Sequence, residues 1–227
     1  GGRAAARLNA DILVFAEKAF ANKDAALQYL KDLGLIKIIN EAIGSVILVT
    51  PADGKAFGAG DQKYYYALQT AIFAQKAGER PAAGMARGPG MFGVGYSDAE
   101  YFGGFGYTYA IGIDGGATYL NNYIAGTLDY VSRIAGMLLI NGKMEPGRNV
   151  AGLVPVYLVN APETVVDLYK QANHTDAYET VGKLEAYFDQ SLPLKRVVIA
   201  NDPNPDAAAY IRDAYYNNAV SLSDEAV

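Results

Sequence analysis

Apolar residues recur along the chain in short blocks that are separated by turns rich in glycine, proline and asparagine. Four blocks are nearly continuous, which is typical of strands that are buried on both faces of a sheet. They are "SVILVT" (45–50), "RIAGMLLING" (133–142), "VPVYLVN" (154–160) and "KRVVIAN" (195–201). The aromatic-rich segment "FGYTYAIG" (105–112) is predicted to be a fifth strand, and "GMFGVGY" favours a short strand within the glycine-rich stretch 79–104.

Segments with helical spacing of apolar residues lie between these strands. The spacing predicts helices over 9–21, 35–43, 61–78, 116–129 and 163–173, and a last helix in "DAAAYIRDAYYNNAV". Asn9 is placed to cap the first helix, and Gly44 and Gly78 are placed to end the next two. Because strands and helices alternate, we expect an α/β fold of mostly parallel sheet with helices on both faces.

Length and charge limit the classes of protein to consider. The 227 residues are 51% hydrophobic, which predicts one core and a single domain over 1–227. The abrupt opening "GGRAAARLNAD" suggests a fragment of a longer protein. The net charge of −5 and the lack of a basic run argue against a nucleic-acid partner. No apolar run reaches membrane-spanning length, so no membrane span is predicted.

The titratable residues further limit the kinds of catalysis and metal binding that the sequence allows. The chain has no cysteine, which excludes disulfides and thiolate catalysis. Its one histidine, His174, is expected at the surface near a helix C-terminus. No residues have metal-ligand spacing, so the sequence predicts no metal and no cofactor, although calcium bound by loop carboxylates such as Asp98 or Asp114 stays open.

Two stretches approximate the G-x-S-x-G turn that presents a nucleophile between a strand and a helix. "GYSDA" (95–99) contains Ser97 but lacks the second glycine and a following helix. "GIDGG" (112–116) has both glycines, a predicted strand before it and a predicted helix after it, with Asp114 at the apex. The alternative for the second stretch is a glycine-rich turn in which Asp114 caps the helix.

Together, "YAIGIDGGATYLNNYIAG", "RIAGMLLING" and "VPVYLVNAPETVVDLYKQAN" resemble the α/β-hydrolase fold. Within it they are most similar to secreted esterases of the polyhydroxybutyrate depolymerase and feruloyl esterase type. The resemblance covers most of residues 1–200. It implies that the opening glycines, including Gly2, end an oxyanion loop, that the first strands precede residue 1, and that the protein is extracellular or on a bacterial cell surface.

The resemblance also assigns the catalytic positions. The nucleophile position falls on Asp114, with the N–H of Gly115 as an oxyanion donor, and the acid position falls on Glu163. Glu163 is equally suited to stabilise the first turn of its helix. The histidine position falls in "ANDPNPDAA", where Asp202 stands and histidine is missing. A carboxylate at the apex would repel the negative charge that develops in ester cleavage.

These observations lead to two predicted functions. The first is an esterase-like domain with a degenerate triad that acts in binding or as a structural partner of an active hydrolase. The alternative is an active carboxylic-ester hydrolase for polyester, feruloyl or acetyl esters, which uses Ser97 or residues outside this chain. Tyr96, Tyr101 and Asp202 are candidate contacts for a small or polymeric ester or sugar ligand. A third class, a flavodoxin-like or sugar-binding domain unrelated to hydrolases, predicts Asp114 far from Glu163 and from the 201–206 loop.

Overall fold

The computed structural model describes residues 10–41, 45–76, 91–94 and 107–216. Nine strands lie within these ranges: β1 Ala10–Ala16, β2 Ser45–Val49, β3 Met91–Val94, β4 Tyr107–Ile113, β5 Gly136–Ile140, β6 Val156–Val159, β7 Ala177–Val181, β8 Leu184–Asp189 and β9 Leu192–Ala200. They form one sheet in the order β3-β2-β1-β4-β5-β6-β9-β8-β7. The described part of the chain is therefore built around a single sheet.

The six central strands of this sheet are parallel. Parallel pairing joins β2 to β1, β1 to β4, β4 to β5, β5 to β6 and β6 to β9. At the two edges, β3 pairs antiparallel with β2, and β8 pairs antiparallel with both β9 and β7. The predicted α/β fold with a mostly parallel sheet is confirmed, and its parallel strands end at one common edge.

Helices cover both faces of the sheet. They are α1 Lys23–Asp32, α2 Leu35–Glu41, α3 Gln62–Lys76, α4 Gly115–Tyr119, α5 Leu128–Val131, α6 Glu163–Ala172 and α7 Ala207–Tyr216; a 3₁₀ turn, Ala59–Asp61, precedes α3, and a π-helical turn, Leu120–Ile124, continues α4. The core layer on one face includes Leu30, Ile38 and Ile211 from α1, α2 and α7. The layer on the other face includes Leu68 and Tyr169 from α3 and α6.

The predicted helix over 9–21 is wrong, because this segment contains the central strand β1. Ile12 and Val14 pack into one core layer, while Leu13 and Phe15 pack into the other. Such alternation between two buried layers makes every position apolar, so the run fits a helix and a buried strand equally well by pattern. The neighbouring strands β2 and β4 decide the outcome, since they satisfy the backbone of β1 on both sides.

Two further differences concern the second half of the chain. The helix predicted over 116–129 begins at Gly115 and divides into α4, the π-helical turn and α5. The β7–β8 hairpin matches no sequence-based prediction; β8 has only one fully buried position, Ala186, which gives a weak pattern. The predicted strands at 45–50, 105–112, 133–142, 154–160 and 195–201 and the helices at 35–43, 61–78 and 163–173 are confirmed within a few residues.

Candidate functional site

Asp114 occupies a sharp turn between β4 and α4. Its backbone has φ 52° and ψ −118°. The Asp114 N–H donates to the Ile140 carbonyl at 2.9 Å, and its own carbonyl accepts from the Thr118 N–H at 3.1 Å. A positive φ with this ψ lies outside the regions open to residues with a side chain, and such a residue stores about 1–3 kcal/mol of strain. The predicted strand–turn–helix geometry is confirmed, and the strain points to a functional position.

The two glycines that flank this turn are required by close packing. A Cβ atom on Gly116 would lie 1.9 Å from the Phe15 carbonyl oxygen, and one on Gly112 would lie 2.6 Å from the Ala117 Cα. In both cases the obstacle is backbone, which cannot move aside as a side chain can. The spacing of the glycines in "GIDGG" therefore follows from the approach of α4 to β1 and β4.

Asp114 is the N-cap residue of α4, but its side chain makes no capping hydrogen bond to the helix. Its Oδ1 accepts a hydrogen bond of 2.9 Å from Asn141 Nδ2. Asn160 Nδ2 in turn donates to Asn141 Oδ1 at 2.9 Å and to the Asp202 carbonyl at 2.6 Å. This chain of hydrogen bonds joins the residues that follow four parallel strands, β4, β5, β6 and β9, at their carboxyl ends.

The two asparagines in this chain share an uncommon backbone. Asn141 and Asn160 each have φ 58°. Asparagine is among the residues that tolerate positive φ, because its short polar side chain can bond locally. At the far end of the chain, Tyr210 of α7 donates to Asp202 Oδ2 at 3.0 Å. Partial burial and this hydrogen bond to a carboxylate raise the pKa of Tyr210 to about 12.

A second carboxylate lies against the turn from the side of β1. Glu17 follows β1, and its Oε2 accepts from the Phe57 N–H at 3.2 Å. A Cβ atom on Gly115 would lie only 2.2 Å from this same Oε2. The Glu17 carboxylate therefore packs directly against Gly115, the residue next to Asp114.

Two aromatic side chains, Tyr29 and Phe20, lie on the same side of this turn as Glu17. Tyr29 of α1 packs on Phe20 with ring centroids 5.3 Å apart, and Lys18 Nζ lies 4.8 Å from the Tyr29 ring centroid. Burial and the negative charge of Asp114 raise the pKa of Tyr29 to about 12. We call Glu17, Tyr29, Asp114, Asn141, Asn160 and Asp202 the strand-end site.

The structure brings some predicted site residues together and separates others. Asp114 and Asp202 belong to the hydrogen-bonded chain, and Gly115 adjoins Asp114. Glu163 lies at the same edge, exposed in the first turn of α6, but Asn160 makes the contact with Asp202. The predicted residues Gly2, Tyr96, Ser97 and Tyr101 lie outside the described residues.

His174 is exposed and follows α6, as predicted. Because α6 starts at the carboxyl end of β6 and runs back along the sheet, His174 lies at the opposite edge. Its near neighbour Asp176 accepts a hydrogen bond of 3.0 Å from the N–H of Gln190, in the turn that precedes β9. His174 is therefore remote from Asp114 and cannot serve as its base.

Sequence reasoning missed four residues of this site: Glu17, Tyr29, Asn141 and Asn160. The two asparagines could have been identified from the sequence, because each directly ends a buried apolar run, in "LLIN" and "YLVN". Asparagine at such a boundary indicates a tight turn with positive φ. Glu17 had no signal, since it falls within the segment that was predicted to be a helix.

Comparisons with protein-family models, with curated proteins and with solved structures found no match for this chain. In the described residues no three His, Asp or Glu side chains are grouped as a metal site requires. Across the same ranges no helix has the length and apolar character to cross a bilayer. The strand-end site offers carboxylates, amides and a tyrosine hydroxyl, all of which can make hydrogen bonds to a ligand.

Proposed function

We propose that this chain is a hydrolase-type α/β domain of the esterase kind whose triad is degenerate, and that it binds a hydroxyl-bearing ligand at the strand-end site. The observation that carries the proposal is the strained backbone of Asp114 at a strand–glycine–helix turn. Residues after β6 and β9, Asn160 and Asp202, are linked to it through hydrogen bonds. Nucleophile, acid and histidine follow one another in this chain order in α/β-hydrolases.

Ester cleavage is disfavoured by the groups at these positions. An aspartate nucleophile needs a base to hydrolyse its ester intermediate, and the chain's one histidine lies at the opposite edge. The N–H of the residue after the nucleophile forms half of the oxyanion hole in this fold. Here that residue is Gly115, and the Glu17 carboxylate packs against it. Two negative side chains would oppose an oxyanion instead of stabilising it.

The same groups suit a ligand that donates hydrogen bonds. Only Oδ1 of Asp114 has a hydrogen-bond partner among the described residues, so Oδ2 is available to accept. Glu17 and Asp202 add further carboxylate oxygens, and the Phe20–Tyr29 pair offers an aromatic surface near Asp114. Carboxylates that accept from neighbouring hydroxyls, next to an aromatic ring, match the alternating polar and apolar surface of a sugar. A carbohydrate chain, with or without ester groups, is therefore the ligand class that we propose.

Xylotetraose and its acetylated form test binding and hydrolysis in one experiment. We expect saturable binding of both by isothermal titration calorimetry, no release of acetate, and no turnover of p-nitrophenyl acetate. Asp114→Ala should weaken binding about tenfold, which corresponds to about 1.4 kcal/mol for one charge-assisted contact. Asp129→Ala, an exposed acidic residue of α5, is the charge-matched control and should leave the affinity unchanged.

Three results would contradict this proposal. Acetate release that Ser97→Ala abolishes would favour the alternative of an active carboxylic-ester hydrolase. A covalent ester on Asp114, detected by mass spectrometry, would show that Asp114 is a working nucleophile. Failure of both oligosaccharides to bind would remove the binding role and leave a structural partner of an active hydrolase. An extracellular or cell-surface location in a bacterium stays a prediction that rests on the resemblance.

A further inference from the structure

A second site lies at the other end of the helix that Asp114 begins. The α4 helix and its π-helical turn span residues 115–124, which places their ends roughly 15 Å apart. An open cleft of about 400 Å³ lies at the C-terminal end. Its lining residues are Ala59, Gln62, Asn122, Tyr123, Gly126, Thr127, Gly147, Arg148 and Asn149. We call it the polar cleft; none of its lining residues belongs to the strand-end site.

The π-helical turn places a nearly buried amide at this cleft. The Ala125 N–H donates to the Leu120 carbonyl at 2.8 Å, which is the wide spacing of a π-helix, a feature often found at functional sites. Asn122 in this turn is only 6% exposed. Its Oδ1 accepts from the Glu145 N–H at 2.8 Å. Within the described residues its Nδ2 has no acceptor, so a nearly buried donor remains available at the cleft.

Arg148 is held in place beside this amide. Its Nε and Nη2 donate to Glu145 Oε2 at 3.2 and 2.9 Å. Its guanidinium carbon lies 4.9 Å from the centroid of the Tyr123 ring, within cation–π range. The Nη1 group has no acceptor in the described part of the chain. Glu145 therefore positions both donors, Asn122 through its backbone and Arg148 through its carboxylate.

The remaining lining residues are neutral. Gln62 donates through Nε2 to the Tyr123 carbonyl at 2.9 Å, which fixes its amide and leaves Oε1 to accept. Thr127 and Asn149 add a hydroxyl and an amide. No Asp or Glu is among the described lining residues, and Arg148, whose Nε and Nη2 pair with Glu145 just outside the lining, is the one charged side chain among them. A cleft with these groups favours an anion that also carries hydroxyls.

We infer that the polar cleft binds a small hydroxylated carboxylate of monosaccharide size, such as a sugar acid. The carboxylate accepts from Arg148 Nη1 and Asn122 Nδ2, and the ligand's hydroxyls bond to Gln62, Thr127 and Asn149. A volume of about 400 Å³ lies within the range of small-molecule sites. Because Asn122 is nearly buried and bonded to the Glu145 N–H, ordering its amide for binding loses little side-chain entropy. This inference does not depend on the function proposed for the strand-end site.

Glucuronate and glucose form a matched pair of probes, since they have the same ring and differ in the carboxylate. We expect glucuronate to bind saturably in an NMR titration, with shifts at Asn122 and Thr127, and glucose to bind at least about tenfold more weakly. Arg148→Gln should weaken glucuronate binding at least about tenfold. Lys143→Gln removes the same charge from the same loop but not from the cleft, so it should leave the affinity within about twofold.

Asn122→Asp provides a second variant with nearly the same shape. It keeps an oxygen to accept from the Glu145 N–H and replaces the donor with an oxygen that repels a carboxylate, so glucuronate binding should be lost. Urea unfolding of each variant separates a loss of binding from a loss of fold. Equal affinity for glucose and glucuronate, equal loss in Lys143→Gln and Arg148→Gln, or no saturable binding of glucuronate would each overturn the inference.

Discussion

Asn160 and Asp202 bind each other twice, and the two bonds run in opposite directions. Asn160 Nδ2 donates to the Asp202 carbonyl at 2.6 Å, and the Asp202 N–H donates to Asn160 Oδ1 at 2.8 Å. The pair connects the loops that follow the neighbouring strands β6 and β9. In the proposed hydrolase-type arrangement these loops would carry the acid and the histidine. Here an amide side chain and backbone groups form the contact that fixes the two loops to each other.

Replacing Asn160 tests whether this pair holds the carboxyl edge together. Asn160→Ala removes its bonds to Asp202 and to Asn141, and we expect the free energy of unfolding to fall by about 1–3 kcal/mol. Urea denaturation followed by circular dichroism measures this change. Asn204→Ala is the control, because the side chain of this exposed residue makes no hydrogen bond within the described residues. Equal stability of the two variants would show that the pair contributes nothing.

The backbone strain at Asp114 predicts that a glycine variant at this position is more stable than an alanine variant. Asp114→Ala and Asp114→Gly both remove the bond to Asn141, but only glycine adopts φ 52° and ψ −118° freely. We expect the glycine variant to be more stable than the alanine variant by about 1–2 kcal/mol. Thermal and urea unfolding of the two proteins give the difference. An alanine variant at least as stable as the glycine variant would mean that this backbone is not strained.

Two adjacent glycines should respond very differently to alanine. At Gly116 the new Cβ meets the backbone of Phe15 at 1.9 Å, so β1 and α4 must separate. We expect Gly116→Ala to destabilise by more than about 3 kcal/mol or to prevent folding. At Gly115 the obstacle is the end of the Glu17 side chain, which can move away. Gly115→Ala should therefore fold with nearly unchanged stability; soluble yield and urea midpoints compare the two variants.

A buried hydrogen bond supports the loop after β5. Tyr169 is fully buried and donates to Asn121 Oδ1 at 2.7 Å, while Asn121 Nδ2 donates to the Lys143 carbonyl at 3.0 Å. Tyr169→Phe leaves the Asn121 oxygen buried without this donor, which should destabilise by about 1–3 kcal/mol. Tyr178→Phe makes the same chemical change at an exposed position and should have an effect of less than about 0.5 kcal/mol. Urea unfolding of the pair measures the contrast.

The pKa of Tyr29 should report the charge of Asp114. Burial, and to a smaller extent the Asp114 carboxylate, raise this pKa to about 12. Because the folded pKa exceeds the ordinary value near 10, the neutral tyrosine stabilises the fold fully below about pH 10. That stabilisation is lost as the pH rises through about 12.

The variant Asp114→Asn removes the charge and keeps the shape. It should lower the pKa of Tyr29, which stays above its ordinary value because burial is the larger cause. A titration of the ¹³Cζ resonance of Tyr29 measures the pKa, and Asp129→Asn is the control for removal of one negative charge. An unchanged pKa in Asp114→Asn would place the two groups too far apart to interact.

Several features followed from the sequence because they depend on local chemistry. Apolar runs such as "SVILVT" and "RIAGMLLING" lack polar alternation, are short and end at turn residues, and together these features indicate strands buried on two faces. The spacing of Gly112 and Gly116 around Asp114 predicted a tight turn, since residues without side chains are needed where a helix approaches a strand. The alternation of these elements predicted the α/β class and the mostly parallel sheet.

Other features depend on contacts between residues that are distant in the chain, and these only the tertiary structure decided. The segment Ala10–Ala16 becomes a strand because β2 and β4 satisfy its backbone on both sides. Asn160 meets Asp202, 42 positions further on, because β6 and β9 are neighbours in the sheet. Glu17 meets Gly115 because β1 lies beside β4. Strand order sets these contacts, and strand order arises from long-range packing that no local pattern records.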